Sequence, residues 1–195
     1  MRLFVALFPP PAVIADLQSL VARLHLGKAA AAGRDVRLES AERWHVTLAF
    51  LGEVGDDRLP VVESALAGVA DSWPREHAGL PPLRLADGGR FGSGSSTILW
   101  AGLHGDLATL TDLAHRVTTE LADAGVPSGD PAKPFRPHLT LARCGDRLSA
   151  EELTADLAEL HHYAGPMWRV DELVLMRSHA GDAHRYERLH SWPLT

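Results

Sequence analysis

The chain has a single cysteine, Cys144, in 195 residues. An intramolecular disulfide is therefore excluded, and the near absence of thiols fits a reducing cytoplasm. A lone cysteine in an apolar strand reads as a buried side chain rather than a nucleophile. Positive charge is also short, with 19 Lys and Arg against 25 Asp and Glu and a net charge of -6. Proteins that grip long stretches of nucleic acid without sequence preference are usually basic. A nucleic-acid partner is thus limited to a small or terminal part, or to a local basic patch, for which Arg43, Arg90, Lys133, Arg136 and Arg143 are candidates. Long apolar runs are missing too. Leu3 to Phe8 is stopped by Pro9-Pro10-Pro11, too early for a membrane span or a signal-peptide core, so no membrane association is expected. There is no glycine-rich phosphate loop and no Walker pattern.

What the chain does have is an ordinary globular composition, 46% hydrophobic and 23% charged, ample for burying a core. Leu3 to Phe8 reads as a strand. Pro11 opens a helix with apolar residues at helical spacing from Val13 to Leu24, ended by Gly27, and Lys28 to Gly33 reads as a loop or frayed end. Strands are expected at 36–38 and 44–51, a helix at 57–73, and a short strand at 81–86. Asp87 to Ser96 reads as a Gly/Ser-rich loop around Arg90 and Phe91. The order then repeats: a strand at 97–103, a helix at 106–124 closed by Gly125, a proline-rich loop, and a strand at 138–143. Ser149-Ala150-Glu151-Glu152 is a capping-box signature for a helix to about His161. Strands at 169–177 and 185–192, joined by a turn over Gly181-Asp182, close the chain.

Within this series one phrase is written twice, His45-Val46-Thr47-Leu48 and His138-Leu139-Thr140-Leu141. A chain of this composition would give roughly 0.1 such matches by chance. The two copies sit at matching places, 43 residues after Arg2 and 41 after Thr97, which is the pattern of an internal duplication with approximate repeats 1–94 and 95–195. The expected fold is α+β: a single bilobal domain, 1–195, each lobe a mainly antiparallel sheet with helices packed outside. A two-fold relation between lobes would bring the two motif faces together across a cleft.

Alternation along a strand puts His45 and Thr47 on one face, and His138 and Thr140 on another. Two imidazoles can serve together as one proton acceptor and one proton donor near neutral pH. Two threonine hydroxyls can donate to the oxygens of an anion held between them. The set suits in-line displacement at phosphorus.

The paired motifs resemble those of the 2H phosphoesterase superfamily. So do Phe135-Arg136-Pro137-His138-Leu139-Thr140-Leu141-Ala142-Arg143, the opening Arg2-Leu3-Phe4-Val5-Ala6-Leu7 and the closing Ser191-Trp192-Pro193-Leu194. Within that superfamily the chain looks most like the bacterial and archaeal RNA 2′,3′-cyclic phosphodiesterases, also called 2′-5′ RNA ligases. The resemblance implies metal-independent opening of a 2′,3′-cyclic phosphate at an RNA or nucleotide end to a 2′-phosphate, with reversible 2′-5′ ligation as a side activity and no cofactor. It implies that His45 and His138 transfer protons, that Thr47 and Thr140 hold the phosphate, and that Arg143 is the phosphate-binding arginine. Arg143 is five positions beyond His138, so strict alternation points it to the wrong face unless the strand bulges. A family basic residue before the strand at 97 is replaced here by Ser95-Ser96-Thr97.

Other residues carry weaker signals. Phe91, Phe135 and Arg136 lie in loop-like sequence, where an exposed ring or guanidinium could contact a base or RNA. His161-His162 reads as a helix C-terminal pair, and His179, His184 and His190 lack the carboxylate or thiolate partners of a zinc site, so no metal is expected. Two other functions are open: a non-catalytic nucleotide- or RNA-end-binding module using the same cleft, and a zinc hydrolase built on the many histidines. A monomer is expected.

Overall fold

The computed structural model describes residues 1–77, 79–126, 128–129, 134–144, 147–179 and 185–195. The Gly181-Asp182 turn, Lys133 and His184 lie outside the described residues. The chain runs β1 (Arg2–Leu7), α1 (Pro11–Arg23), α2 (His25–Ala31), β2 (Arg37–Leu38), β3 (Val46–Glu53), α3 (Leu59–Glu76) and β4 (Leu83–Phe91). It continues as β5 (Ile98–Gly105), α4 (Leu107–Asp123), β6 (His138–Arg143), α5 (Ala150–His162), β7 (Ala164–Trp168), β8 (Glu172–His179) and β9 (Arg185–Pro193).

Among the described residues nine strands form one antiparallel sheet in the order β7-β4-β5-β6-β3-β1-β8-β9, with β2 also paired to β6. At its middle β3 and β6 meet through one pair, Val46 with Leu139. Beyond it β2 takes the vacated edge of β6, with Arg37 opposite Arg143 and Leu38 opposite Ala142. The sheet thus falls into two halves, β3-β1-β8-β9 and β6-β5-β4-β7. These do not coincide with the sequence repeats. β4, from residues 1–94, lies between β5 and β7, while β8 and β9 join β1.

Helices α1 to α5 all send buried residues into a single core against one face of the sheet, including Val13, Leu17, Leu26, Leu66, Leu110 and Leu160. The other face of the β1/β8 half carries a second, smaller apolar cluster of Phe4, Ala6, Val174 and Met176, flanked by Phe8 and Tyr186. This second cluster matters because it sits on the motif face.

Three elements depart from the sequence reading. Gly27 does not end the first helix. Leu24 breaks the helix instead, and Gly27 lies inside α2, where a Cβ would run into the Val21 carbonyl oxygen, so only glycine lets the two helical segments cross this closely. The 87–91 segment is not a loop. β4 runs on through Phe91 because a Cβ on Gly89 would meet the Trp100 ring at 2.5 Å, so glycine lets that indole lie flat over the strand. β7, which contains Pro166, was not expected. It is an edge strand, where a missing N–H is tolerated.

The caps agree with the reading. Ser149 Oγ accepts from the Glu152 amide at 3.1 Å while Glu152 Oε2 accepts from the Ser149 amide at 2.8 Å. Cys144 is buried, its thiol pushed up by desolvation, and its Sγ lies 3.6 Å from the Thr97 carbonyl oxygen, which makes it a packing residue.

Candidate active site

The antiparallel pair Val46/Leu139 sets the register of the site. Continuing the register one residue either way places His45 toward Thr140 and Thr47 toward His138. The four side chains border a common cleft of about 400 Å³. Among the described residues the Thr47 and Thr140 hydroxyls have no hydrogen-bond partner in the protein, so both are open to a ligand.

Each histidine is fixed in the same way. His45 Nδ1 lies 2.6 Å from the Arg43 carbonyl oxygen, and His138 Nδ1 lies 2.7 Å from that of Arg136. A carbonyl can only accept, so Nδ1 donates and Nε2 is the nitrogen left for the cleft. Arg136 therefore contributes through its backbone, while its side chain is exposed and outside the cleft lining.

The two rings differ in their surroundings. His45 is packed among Phe4, Phe8 and Tyr186, at ring-centroid distances of 4.9, 5.7 and 5.5 Å. Burial in this cluster lowers its pKa from the ordinary value, against the opposing pull of the Arg43 carbonyl and the Glu39 carboxylate; the nearby His138 adds to the lowering. Its neutral form is thereby favoured. His138 rests edge-on against Phe91 at 4.9 Å, and Phe91 stacks on Trp100 at 5.2 Å.

Arg143 does reach the motif face. In the β5/β6 register, Leu99 faces Ala142 and Trp100 faces Thr140, so Leu141 is an extra residue. Leu141 and Ala142 are consecutively buried, and alternation resumes one residue late with Arg143 beside Thr140 at the cleft. β3 has the same bulge at the same offset: Val5 faces Ala49 and Ala6 faces Thr47, skipping Leu48. There it delivers Phe50, whose ring is 62% exposed and also borders the cleft. The duplicated bulge thus sets a guanidinium at one end of the cleft and an exposed ring at the other.

The sequence reading missed several cleft residues: Phe50, Glu39, Arg2 and Tyr186. Glu39 approaches Arg43 Nη2 at 3.3 Å and Arg143 Nε at 4.0 Å, bridging two arginines. Burial pushes the Tyr186 phenol up, so it remains a donor at neutral pH. None of the four left a local signal; Phe50 lies within the motif strand itself, but strict alternation from Thr47 would turn it away from the motif face. Phe135 packs against the main core and Phe91 against His138, and neither borders the cleft.

Among the described residues no group of three or more His, Cys, Asp or Glu is arranged to hold a metal ion. His161 and His104 instead pair with Asp87 at 3.0 and 2.7 Å, and His179 pairs with Glu187 at 2.8 Å. Among those residues, too, no helix is long and apolar enough to cross a membrane.

This sheet, duplicated about two His/Thr strands, defines a class. The chain belongs to the 2′-5′ RNA ligase superfamily, whose match extends over residues 8–182. It is 32% identical over 157 residues to the RNA 2′,3′-cyclic phosphodiesterase of Geobacillus stearothermophilus, covering 78% of this chain and 46% of that protein. It therefore spans about half the length of that relative. It is 30% identical over 146 residues to the RNA 2′,3′-cyclic phosphodiesterase of Archaeoglobus fulgidus, covering 73% and 72% of the two chains. Among solved structures it is similar to TT0787 of Thermus thermophilus, with a TM-score of 0.73 at 24% identity over 100% of this chain and 98% of that one. It is also similar to E. coli LigT complexed with ATP, with a TM-score of 0.67 at 26% identity over 100% and 98%.

Proposed function

We propose that this protein is a phosphodiesterase that opens 2′,3′-cyclic phosphates at RNA or nucleotide ends to 2′-phosphates. The observation that carries this reading is the matched pair of histidines, each with Nδ1 held by the carbonyl two residues before it and Nε2 left for one cleft. Water attacks phosphorus and gives its proton to a neutral imidazole. The bond from phosphorus to the 3′-oxygen breaks on the opposite side, and the second imidazole, protonated, supplies the proton that oxygen needs. Burial makes the neutral, proton-accepting form the resting form of His45. Thr47, Thr140 and Arg143 hold the non-bridging oxygens as charge builds on them. A 5′-hydroxyl in the place of the water would yield a 2′-5′ linkage by the same displacement, which accounts for reversible ligation as a companion activity.

The reading is supported by the family, by relatives named for this reaction, and by a cleft of about 400 Å³, the size of a nucleotide site. The exposed Phe50 ring offers a base a stacking surface within the cleft. The test is hydrolysis of a 2′,3′-cyclic mononucleotide with identification of the product, in the presence and absence of EDTA. A 2′-phosphate formed at the same rate in both supports it. A 3′-phosphate, or loss of turnover with the chelator, would contradict it, and tight binding without turnover would make the cleft a binding module.

A further inference from the structure

A second groove, of about 460 Å³, opens beside the cleft and shares Arg143 with it. Its walls come from Arg37 on β2, the Ser95-Ser96 turn before β5, and Arg147 beyond β6, whose Nη2 is paired with Asp35 at 3.1 Å. The register fixes how the two sites are joined. Arg143 has Ile98 directly opposite on one side and Arg37 on the other, and directly opposite residues share a face. Because the Leu141 bulge has put Arg143 on the face of His138 and Thr140, Arg37 lies on that face as well. From Thr140 the line runs about 7 Å along β6 to Arg143, then about 5 Å across to β2.

Two arginines facing each other across neighbouring strands repel, and such a pair is unfavourable without an anion between them. The local carboxylates do not resolve it. Glu39 is shared between Arg43 at 3.3 Å and Arg143 at 4.0 Å, Asp35 is committed to Arg147, and among the described residues Arg37 has no ion-pair partner. The Ser95 and Ser96 hydroxyls at the rim likewise have no partner among these residues. In a chain of net charge -6 this is a concentrated positive spot with spare donors, one strand away from the reacting phosphate.

We propose that this groove binds the phosphodiester on the 5′ side of the terminal nucleotide, so that a strand end is held more tightly than a free mononucleotide. The inference rests on the function proposed above. Arg37 holds that second phosphate, Ser95 and Ser96 donate to it, and Arg143 at the junction of the two sites stays with the terminal cyclic phosphate between the motif residues. Arg37 thus supplies charge from β2 at the place where the residues before β5 are serines.

The experiment compares a 2′,3′-cyclic mononucleotide with a trinucleotide ending in a 2′,3′-cyclic phosphate, in wild type, Arg37→Ala and Arg37→Lys. For wild type, KM should be lower for the trinucleotide. Arg37→Ala should raise the trinucleotide KM about 10-fold with little change in kcat, and Arg37→Lys should restore part of it. The mononucleotide should be cleaved equally by all three, which also reports that each variant folds. The salt dependence of trinucleotide KM should weaken by a log-log slope of about 0.7 in Arg37→Ala, the loss of one phosphate contact on a single strand. If Arg37→Ala slows both substrates alike, or neither, the subsite is wrong while the proposed reaction stands. If wild type cleaves neither substrate, both fall.

Discussion

Val46 and Leu139 are the one residue pair through which β3 and β6 meet, and each directly follows a motif histidine. The local two-fold relation between the motifs passes through this pair, which places each histidine toward the threonine of the other strand. The polar quartet is therefore held by backbone pairing at the centre of the sheet, with no mobile loop in between. From this arrangement the following outcomes are expected.

His45→Ala and His138→Ala should each lower turnover of a 2′,3′-cyclic nucleotide by about 10²-fold or more, and the double variant should be little worse than either. Additive losses would show that the two rings work independently. Thr47→Ala and Thr140→Ala should each cost roughly 10-fold to 100-fold, as the loss of one hydrogen bond to a developing charge.

Arg143→Ala should raise KM for the cyclic nucleotide roughly 10-fold to 100-fold, with Arg143→Lys recovering only part, since a point charge replaces a fork of donors. An unchanged KM would mean that the bulge at Leu141 does not aim this side chain at phosphate.

Burial in the Phe4/Phe8/Tyr186 cluster lowers the pKa of His45, so its ring should titrate below the ordinary value of about 6.5 in a histidine NMR titration. A group with a depressed histidine pKa binds fewer protons folded than unfolded. Its contribution to stability is therefore present at neutral pH and is lost as pH falls through the ordinary histidine range toward the depressed value. Turnover should be bell-shaped in pH, its acid limb set by protonation of the accepting ring. Tyr186→Ser admits water to this ring and should move its titration upward. No movement would show that something other than burial sets it.

Asp156 is fully buried and accepts from the His25 amide at 2.7 Å, His25 Nδ1 at 2.9 Å and the Leu26 amide at 2.9 Å, tying α5 to the start of α2. Asp156→Ala strands these donors and should cost about 3 kcal/mol in a urea unfolding experiment. A cost near zero would mean that water replaces the carboxylate.

The amino-acid sequence carried the elements with strong periodicity or punctuation. Pro11, the Ser149/Glu152 box and the apolar spacing in α3 and α4 mark their helices, and the repeated His/Thr phrase marks the two strands of the candidate site. What it hid were features set by distant partners. The bulges at Leu48 and Leu141 lie in uninterrupted apolar sequence with no glycine to announce them, so only pairing with β1 and β5 reveals that Phe50 and Arg143 share the motif face. Gly88-Gly89 looks like a turn until Trp100 is seen lying against it. Glu39, Arg2 and Tyr186 come to the cleft from three separate strands or their flanks, a convergence that no local pattern encodes. The asymmetry between the two histidines is likewise invisible in two nearly identical phrases, because it comes from Phe4, Phe8 and Tyr186.

The crossing of β4 into the other half of the sheet bears on how such a molecule could be assembled. Cut between residues 94 and 95, the chain leaves β4 in one piece and both of its neighbours, β5 and β7, in the other. Neither fragment can complete a sheet alone, whereas the two supplied together can restore it. A half-length chain of this design could finish its sheet only by lending its last strand to a second copy and borrowing that copy's in return. The resulting symmetric dimer would have one His/Thr site on its axis, built from the same two residues of each copy. Joining two such copies end to end would free the two sides of that site to differ, as Phe50 and Arg143 differ at equivalent positions here.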